Sequence, residues 1–364
     1  MSDKTKNSII TITFITILMI VLIINILKTD ETISVAERRK LASFPELSIS
    51  KLFDKSFANE FEAYTMDQFI GREELMSLKT FIELKVLGKK DVNNVYEYNG
   101  TIVKQEYPLN ENSILNVTSK IQEIQNTYLD SSNNVYYSII PDKNYFVNDE
   151  YLKMDYSKVE ELMTKNIDSA EYIEIFDCLE LDDYYYTDTH WKQENLEKVL
   201  DKFAIQMNFK DRIKTNFVEQ EITEFEGVYT GQLQVKTKQD SIKVLSNEII
   251  ENAKVYNFET KKYTSIYDLE KLNSSDKYDI YLSGAAALLT IENELANTEK
   301  ELIVFRDSFA SSIIPLFTEG YKKITLIDTR YISPKILKEY VELKNSDVLF
   351  LYSILILNNS WTLK

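Results

Sequence analysis

Residues 184–191 read Tyr-Tyr-Tyr-Thr-Asp-Thr-His-Trp and hold the only histidine of the 364-residue chain, His190. An imidazole is the side chain whose ordinary titration lies closest to neutral pH, which suits it to general-base work. Asp188 stands two residues before it. In an extended segment, residues i and i+2 point to the same side. The Asp188 carboxylate would then reach one ring nitrogen, fix the tautomer and leave the other nitrogen to accept a proton. A serine hydroxyl needs such a base, because it is a weak nucleophile at its free pKa. A second stretch, Ile303 to Pro315, runs an apolar segment straight into Arg306-Asp307-Ser308 and on into a helix-like one. A serine there sits at a strand tip and a helix start, where unpaired N–H groups favour a developing oxyanion. Each stretch alone also has a plainer reading. A lone histidine packs in many cores, Asp-X-His arises by chance, and Asp or Ser before a helix is a common N-cap.

Other chemistries have little support. The single cysteine, Cys178, excludes an intramolecular disulfide, and one thiol with one histidine cannot build a Cys/His zinc site. Cys178 ends an apolar run and reads as packing. No loop has EF-hand spacing, and no metal is expected. The net charge of −16 opposes a nucleic-acid partner, whose affinity rests on Lys and Arg neutralising phosphates. The acidity reads as solubility.

Residues 9–27, from Ile9 to Leu27, contain no charge and are about long enough to cross a bilayer. A signal peptide usually has a shorter apolar run and a small-residue site soon after it. The one candidate here, Ser34-Val35-Ala36, lies well beyond the run, so the expectation is an uncleaved anchor preceded by a short cytoplasmic tail, 1–8. Lys4 and Lys6 precede the span and Lys28 and Arg38-Arg39-Lys40 follow it, so flanking charge does not fix orientation. A short tail before the span and a long domain after it favour an outward-facing domain.

Residues 28–50 read as an extended stalk, with Pro45 disfavouring helix at Phe44. Apolar residues then recur at three- and four-residue steps over 51–88, with Gly71 between two helical segments. The interleaved acidic residues suggest a helical lead-in, 51–94, packed on the domain rather than on a membrane surface. Buried strands are expected at 135–141, 172–176, 301–305, 323–328 and 347–352, with helices between the last three. That alternation implies an α/β domain, 51–364, whose parallel sheet is covered on both faces and carries its site at the carboxyl ends of the strands. The polar, strand-poor stretch of about 205–280 reads as an insertion or small subdomain.

Together, "YYYTDTHW" and "FRDSFASSIIPLF" resemble the signature segments of the DHHW family, which is related to the alginate O-acetyltransferases AlgX and AlgJ among SGNH-hydrolase-like proteins. "AERRKLASFPELS", "SIIPDKNYF", "FEGVYTGQL", "YDIYLSG", "KITLIDTRYI" and "SDVLFLYS" extend the likeness in order along most of the chain from about residue 36. The resemblance implies a three-layer SGNH-like domain behind a single transmembrane helix, with Ser308 as nucleophile, His190 as base and Asp188 as its orienting carboxylate. Two departures stand out: Thr189 replaces the first histidine of Asp-His-His-Trp, and Arg306 stands where SGNH hydrolases commonly have the glycine of Gly-Asp-Ser. The usual oxyanion Gly and Asn blocks are not evident. Gly284 can offer a second N–H or simply make a turn. Arg330 can bind substrate, stabilise the oxyanion, or pair with Asp307 or Asp328. Trp191 and the tyrosines 184–186, Tyr186 included, can stack on sugars or pack in the core.

The implied function is an extracellular, membrane-anchored O-acetyltransferase acting on an exopolysaccharide or cell-wall glycan, working without a bound cofactor. An outward domain cannot reach cytosolic acetyl-CoA, so the resemblance implies a multi-pass O-acyltransferase partner that supplies the acetyl group, beside a polymer synthase. The acidic surface favours a neutral glucan or amino-sugar acceptor. An acetylesterase with the same triad, and a non-catalytic polysaccharide-binding scaffold, remain open alternatives.

Overall fold

The computed structural model describes residues 2–34, 39–148, 150–233 and 235–364. The chain divides into two compact units, Met1–Val92 with Thr230–Gln234, and Asn93–Tyr229 with Val235–Lys364. In the first unit, α1 (Asp3–Leu27) is one unbroken helix long and apolar enough to cross a membrane, with no buried residue. A signal sequence meets the same description; Val35 and Ala36 of the candidate cleavage site, with Glu37 and Arg38, lie outside the described residues.

The expected stalk is folded rather than free. Two short antiparallel strands, β1 (Ile33–Ser34) and β2 (Arg39–Lys40), precede α2 (Ile49–Phe53), α3 (Ser56–Asp67) and α4 (Arg72–Phe81), which continues as a π-helical turn to Val86. Arg39 grips the Asp67 carboxylate with two hydrogen bonds of 2.6 and 2.8 Å, and the Ala42 N–H donates to the same carboxylate. These contacts fix residues 39–42 to the end of α3. Gly71 starts α4, as its place between two helical patterns suggested. Within the first unit the lead-in's apolar face is not covered: α3 has no buried residue, and α4 buries only Thr80.

The second unit begins with the hairpin β3 (Val95–Tyr98) and β4 (Thr101–Lys104). Its centre is an eight-stranded sheet drawn from β5 (Asn134–Ile140), β6 (Glu171–Tyr172), β9 (Lys254–Asn257), β10 (Lys262–Ser265), β11 (Leu288–Glu292), β12 (Glu301–Arg306), β13 (Lys323–Ile327) and β14 (Asp347–Ser353). The order is β10-β9-β11-β13-β12-β14-β5-β6. The five strands from β13 to β6 run parallel, while β11, β9 and β10 close the other edge antiparallel. A separate antiparallel pair is formed by β7 (Val218–Phe225) and β8 (Asp240–Ser246).

Alternation along the strands builds two cores. Leu302, Val304, Leu349 and Leu351 face one side, packing with Val199, Leu200 and Phe203 of α7 (Glu197–Gln206) and with Ile313, Ile314 and Phe317. Ile303, Phe305, Val348 and Phe350 face the other, packing with α5 (Glu111–Tyr128) and α6 (Tyr156–Asn166). α5 shows why: Ile114, Val117, Ile121 and Ile124 fall at helical spacing on its buried side, and Asn110 caps its start. Helix, sheet, helix is the three-layer α/β arrangement expected, with both faces of the parallel strands buried.

Two expectations need correction. The 172–176 run supplies only Glu171–Tyr172 to the sheet edge before the chain leaves in a 3-10 turn, Phe176–Cys178. The 205–280 stretch is not strand-poor: it holds β7 to β10, the last two of them in the main sheet, and a short helix α8 (Glu248–Asn252). Its polarity misled because β7 and the edge strand β10 keep most of their residues in water.

At the end of β5, Asp142 is buried and accepts a hydrogen bond from Tyr156 (2.6 Å). Burial raises its carboxyl from 3.8 to about 7. The folded chain therefore holds a proton that the unfolded chain releases near 3.8, and the stability this group permits falls as pH rises from about 4 to 7. Asp142→Asn, which cannot ionise, is expected to raise the unfolding free energy measured by denaturant titration at pH 8 over wild type, by on the order of 2–4 kcal/mol. At pH 4 the gain should be much smaller. Equal gains at both pH values would contradict this account.

Candidate active site

Ser308 is the second residue past β12, in the turn that leads to α9 (Ala310–Ile313) and a 3-10 continuation, Ile314–Gly320. Asp307 makes that turn: one carboxylate oxygen accepts the Phe309 N–H (3.0 Å) and the other the Ser353 N–H (2.7 Å). Asp307 thus acts as a turn residue rather than the helix cap expected here, since α9 starts after Phe309 with no side-chain cap, and it binds the carboxyl ends of β12 and β14 together. Ser308 is left half-buried, with its hydroxyl available.

Tyr184 bridges to Trp191, and the Tyr185 N–H donates to the His190 carbonyl (3.0 Å), closing a tight loop over 186–189. Asp188 and His190 therefore do not sit in an extended strand, as sequence spacing suggested. The Asp188 Oδ1 instead accepts both the His190 backbone N–H (3.1 Å) and Nδ1 (2.6 Å), a side chain bonding two residues ahead. The Val228 N–H fills Oδ2 (3.0 Å). On the far side of the ring, His190 Nε2 lies 2.8 Å from Ser308 Oγ. Asp188, His190 and Ser308 are thus brought into one hydrogen-bonded line.

Several residues that hold this line carry no sequence signal. The buried Asp240 carboxylate accepts the N–H groups of Tyr186 and Thr187 (2.8 Å each) and the Thr187 hydroxyl (2.6 Å). Thr187 Oγ1 accepts in turn from the Gly227 N–H at 2.8 Å. A Cβ on Gly227 would fall 2.3 Å from the Thr187 carbonyl oxygen and 2.4 Å from the Asp188 Cβ, so only glycine permits this approach. Tyr278 stacks on the imidazole, with ring centres 3.9 Å apart and planes 9° from parallel, and Phe309 leans on it at 4.9 Å. Burial holds the Tyr278 phenol well above its usual range, so it stays protonated and donates to Ser312 Oγ (3.0 Å).

The remaining sequence candidates fall outside the line. Gly284 is a turn residue: its φ is 83°, and its N–H is donated to the Tyr281 carbonyl (3.2 Å), so the second oxyanion donor suggested there is not available. Arg330 takes the structural alternative, with Nε 2.9 Å and Nη2 2.6 Å from the Asp328 carboxylate. Trp191 is fully buried and donates to the Phe309 carbonyl (3.0 Å) and Ser312 Oγ (2.9 Å), which leaves it no face for a sugar. Tyr184 and Tyr185 are also core residues. Tyr186 is half-buried, with the Lys192 ammonium 3.8 Å from its ring centre and Lys238 at 4.8 Å, so lysines occupy the aromatic surface offered to sugars. Arg306, in place of a glycine, is buried and donates to Ser311 Oγ (3.0 Å). Burial pushes the half-buried Cys178 thiol up to about 11, and it stays protonated. Among the described residues, no group of three or more His, Cys, Asp or Glu is placed to hold a metal ion.

Residues 148–327, which include all three residues of the line, match the family model described as DHHW protein. The matched span is just under half of the chain. The chain also superposes on a DHHW family protein from Eubacterium siraeum at 17% identity, covering 75% of this chain and 95% of that one, with a TM-score of 0.59. Bacillus cereus PatB1 with a sulfonyl adduct aligns at 16% identity over 73% and 95%, with a TM-score of 0.57. At such identities the likeness is one of fold, and it agrees with the three-layer α/β architecture expected from the sequence. None of the curated proteins matches the chain by sequence.

Since Asp240 satisfies three donors of the 186–187 backbone and side chain, Asp240→Ala should leave them unpaired and let the loop drift. A loss of about 1–3 kcal/mol in stability is expected. Reaction of Ser308 with a fluorophosphonate, followed by mass spectrometry of the labelled peptide, should slow more than tenfold. Unchanged labelling would show that the loop holds its geometry without Asp240.

Proposed function

We infer that this chain is a serine-dependent O-acetyltransferase, anchored by α1 with its second unit outside the cell, that acetylates a glycan. The observation that carries this reading is the line from Asp188 through His190 to Ser308, with separations of 2.6 and 2.8 Å. Ser308 Oγ attacks the carbonyl of an acetyl donor as its proton passes to His190 Nε2. The Ser308 N–H helps hold the oxyanion. Collapse expels the donor's leaving group, which takes the proton from Nε2 and leaves acetyl-Ser308. A sugar hydroxyl then gives its proton to Nε2 and attacks the acetyl carbon. The ester passes to the sugar, and Ser308 recovers the proton. Asp188 stabilises the imidazolium at both stages without being protonated itself.

The reading of the glycan as acceptor rests on the resemblance to acetyltransferases in the signature segments. The donor would be a partner in the membrane, a multi-pass O-acyltransferase working beside a polymer synthase, and α1 would hold the two at high effective concentration. The net charge of −16 favours a neutral or amino-sugar polymer over an anionic one.

Full-length protein in detergent, given an acetyl ester and a neutral oligosaccharide, is expected to form acetylated sugar, with the yield rising as the oligosaccharide concentration rises. Ser308→Ala and His190→Ala should each lower the rate by about 1,000-fold or more. Acetate release with no acetylated sugar at any acceptor concentration would make the protein an esterase. Wild-type rates in Ser308→Ala would show that Ser308 is not the nucleophile, and neither acetate nor acetylated sugar from the wild-type protein would make it a binding scaffold.

A further inference from the structure

The helices after the anchor carry their apolar residues outward. On α4 and its π-helical extension, Leu75, Leu78 and Ile82 recur at steps of three and four, and are 50%, 52% and 40% exposed. The less exposed positions are Arg72, Met76, Ser77, Thr80, Glu83 and Leu84. Most of the apolar residues are therefore not gathered on the inner side, as they are in a soluble surface helix. The α3–α4 corner repeats it, with Met66, Phe69 and Ile70 all exposed.

The corner is also fixed to the end of α1. The Ile70 N–H donates to Asn25 Oδ1 (2.9 Å), Tyr64 Oη donates to Asp30 (2.9 Å), and the Gln68 amide bonds both the N–H and the carbonyl of Glu31. Asn25 lies about 3 Å along the helix axis from Leu27, at 1.5 Å per residue. If α1 crosses the bilayer, the corner therefore lies where hydrocarbon gives way to headgroups. Charge follows the same division. Residues 28–92 carry eleven Lys and Arg against twelve Asp and Glu, while residues 93–364 carry 29 against 45. An anionic lipid surface repels the second segment and leaves the first almost indifferent.

We propose that the α3–α4 corner and the outward stripe of α4 dock into the interfacial layer of the bilayer that α1 crosses, and that lipid, not a second protein, covers them. The proposal rests on the reading of α1 as a membrane anchor. It gives the chain a second membrane contact beside the span, one that fixes the helices at headgroup depth.

Nitroxides on single cysteines test it, in the full chain with Cys178→Ser, reconstituted in phosphatidylcholine–phosphatidylglycerol vesicles. Leu78→Cys and Met66→Cys report the docking surface, Ile17→Cys the span, and Lys335→Cys the aqueous reference. The ratio of relaxation by oxygen to relaxation by a nickel chelate should be several-fold higher at positions 17, 66 and 78 than at 335. A lipid-like Ile17 with water-like 66 and 78 would overturn the docking and leave the anchor standing. Exclusion of both relaxants from 66 and 78 would show a protein cover and overturn the lipid assignment. A water-like Ile17 would remove the anchor, and the proposal with it.

Discussion

A carboxylate with almost no access to water must have its oxygens answered by protein, and the candidate site is arranged around that requirement at Asp188. Its partners are the His190 backbone, the His190 ring and the Val228 N–H. Each bond is a positional constraint. The first bends the loop, the second sets the ring's tautomer, and the third joins the loop to a segment forty residues downstream. Asp240 supports the same loop from beneath by collecting the donors of Tyr186 and Thr187, and Gly227 allows the two segments to touch. A buried, unpaired carboxylate would cost far more than any one of these contacts supplies, so the network is retained as a whole.

The sheet and the loops divide the work. Strand β12 lies between two parallel neighbours and delivers Ser308 to a fixed point at its carboxyl end, where Asp307 ties it to β14. The histidine arrives from outside the sheet, on a loop closed by the Tyr184–Trp191 bridge. Trp191 then links back to the Phe309 carbonyl and to Ser312 beyond the nucleophile, and Tyr278 covers the imidazole face while bonding the same Ser312 hydroxyl. The aromatic residues around His190 thus serve as clamps between loop and sheet, which explains why none of them presents a ring to an acceptor.

The parts legible in the sequence were those with strong local signals. β12, β13 and β14 are buried on both faces and read as unbroken apolar runs. Asp188, His190 and Ser308 stood out because their types and spacing match a known chemistry, although the geometry that joins Asp188 to His190 is a turn and not a strand. What could not be read is tertiary. Asp240, Gly227 and Tyr278 lie 37 to 88 positions beyond His190, in a stretch whose polarity resembled an insertion, and nothing local marks a glycine chosen for a close approach. The orientation of α4 was equally hidden. Helical spacing shows that an apolar stripe exists, but only the fold decides whether the stripe faces protein or the outside.

The claim on which the account turns is that Asp188 holds His190 with its proton on Nδ1, so that Nε2 is free to accept from Ser308. Because the chain has one histidine, nitrogen-15 NMR of histidine-labelled protein reads this without ambiguity. In the uncharged ring, the account expects a protonated Nδ1 and a bare Nε2, with that preference lost in Asp188→Ala. A proton resident on Nε2 in the wild-type protein would contradict it, since the ring would then donate to the serine it is meant to activate.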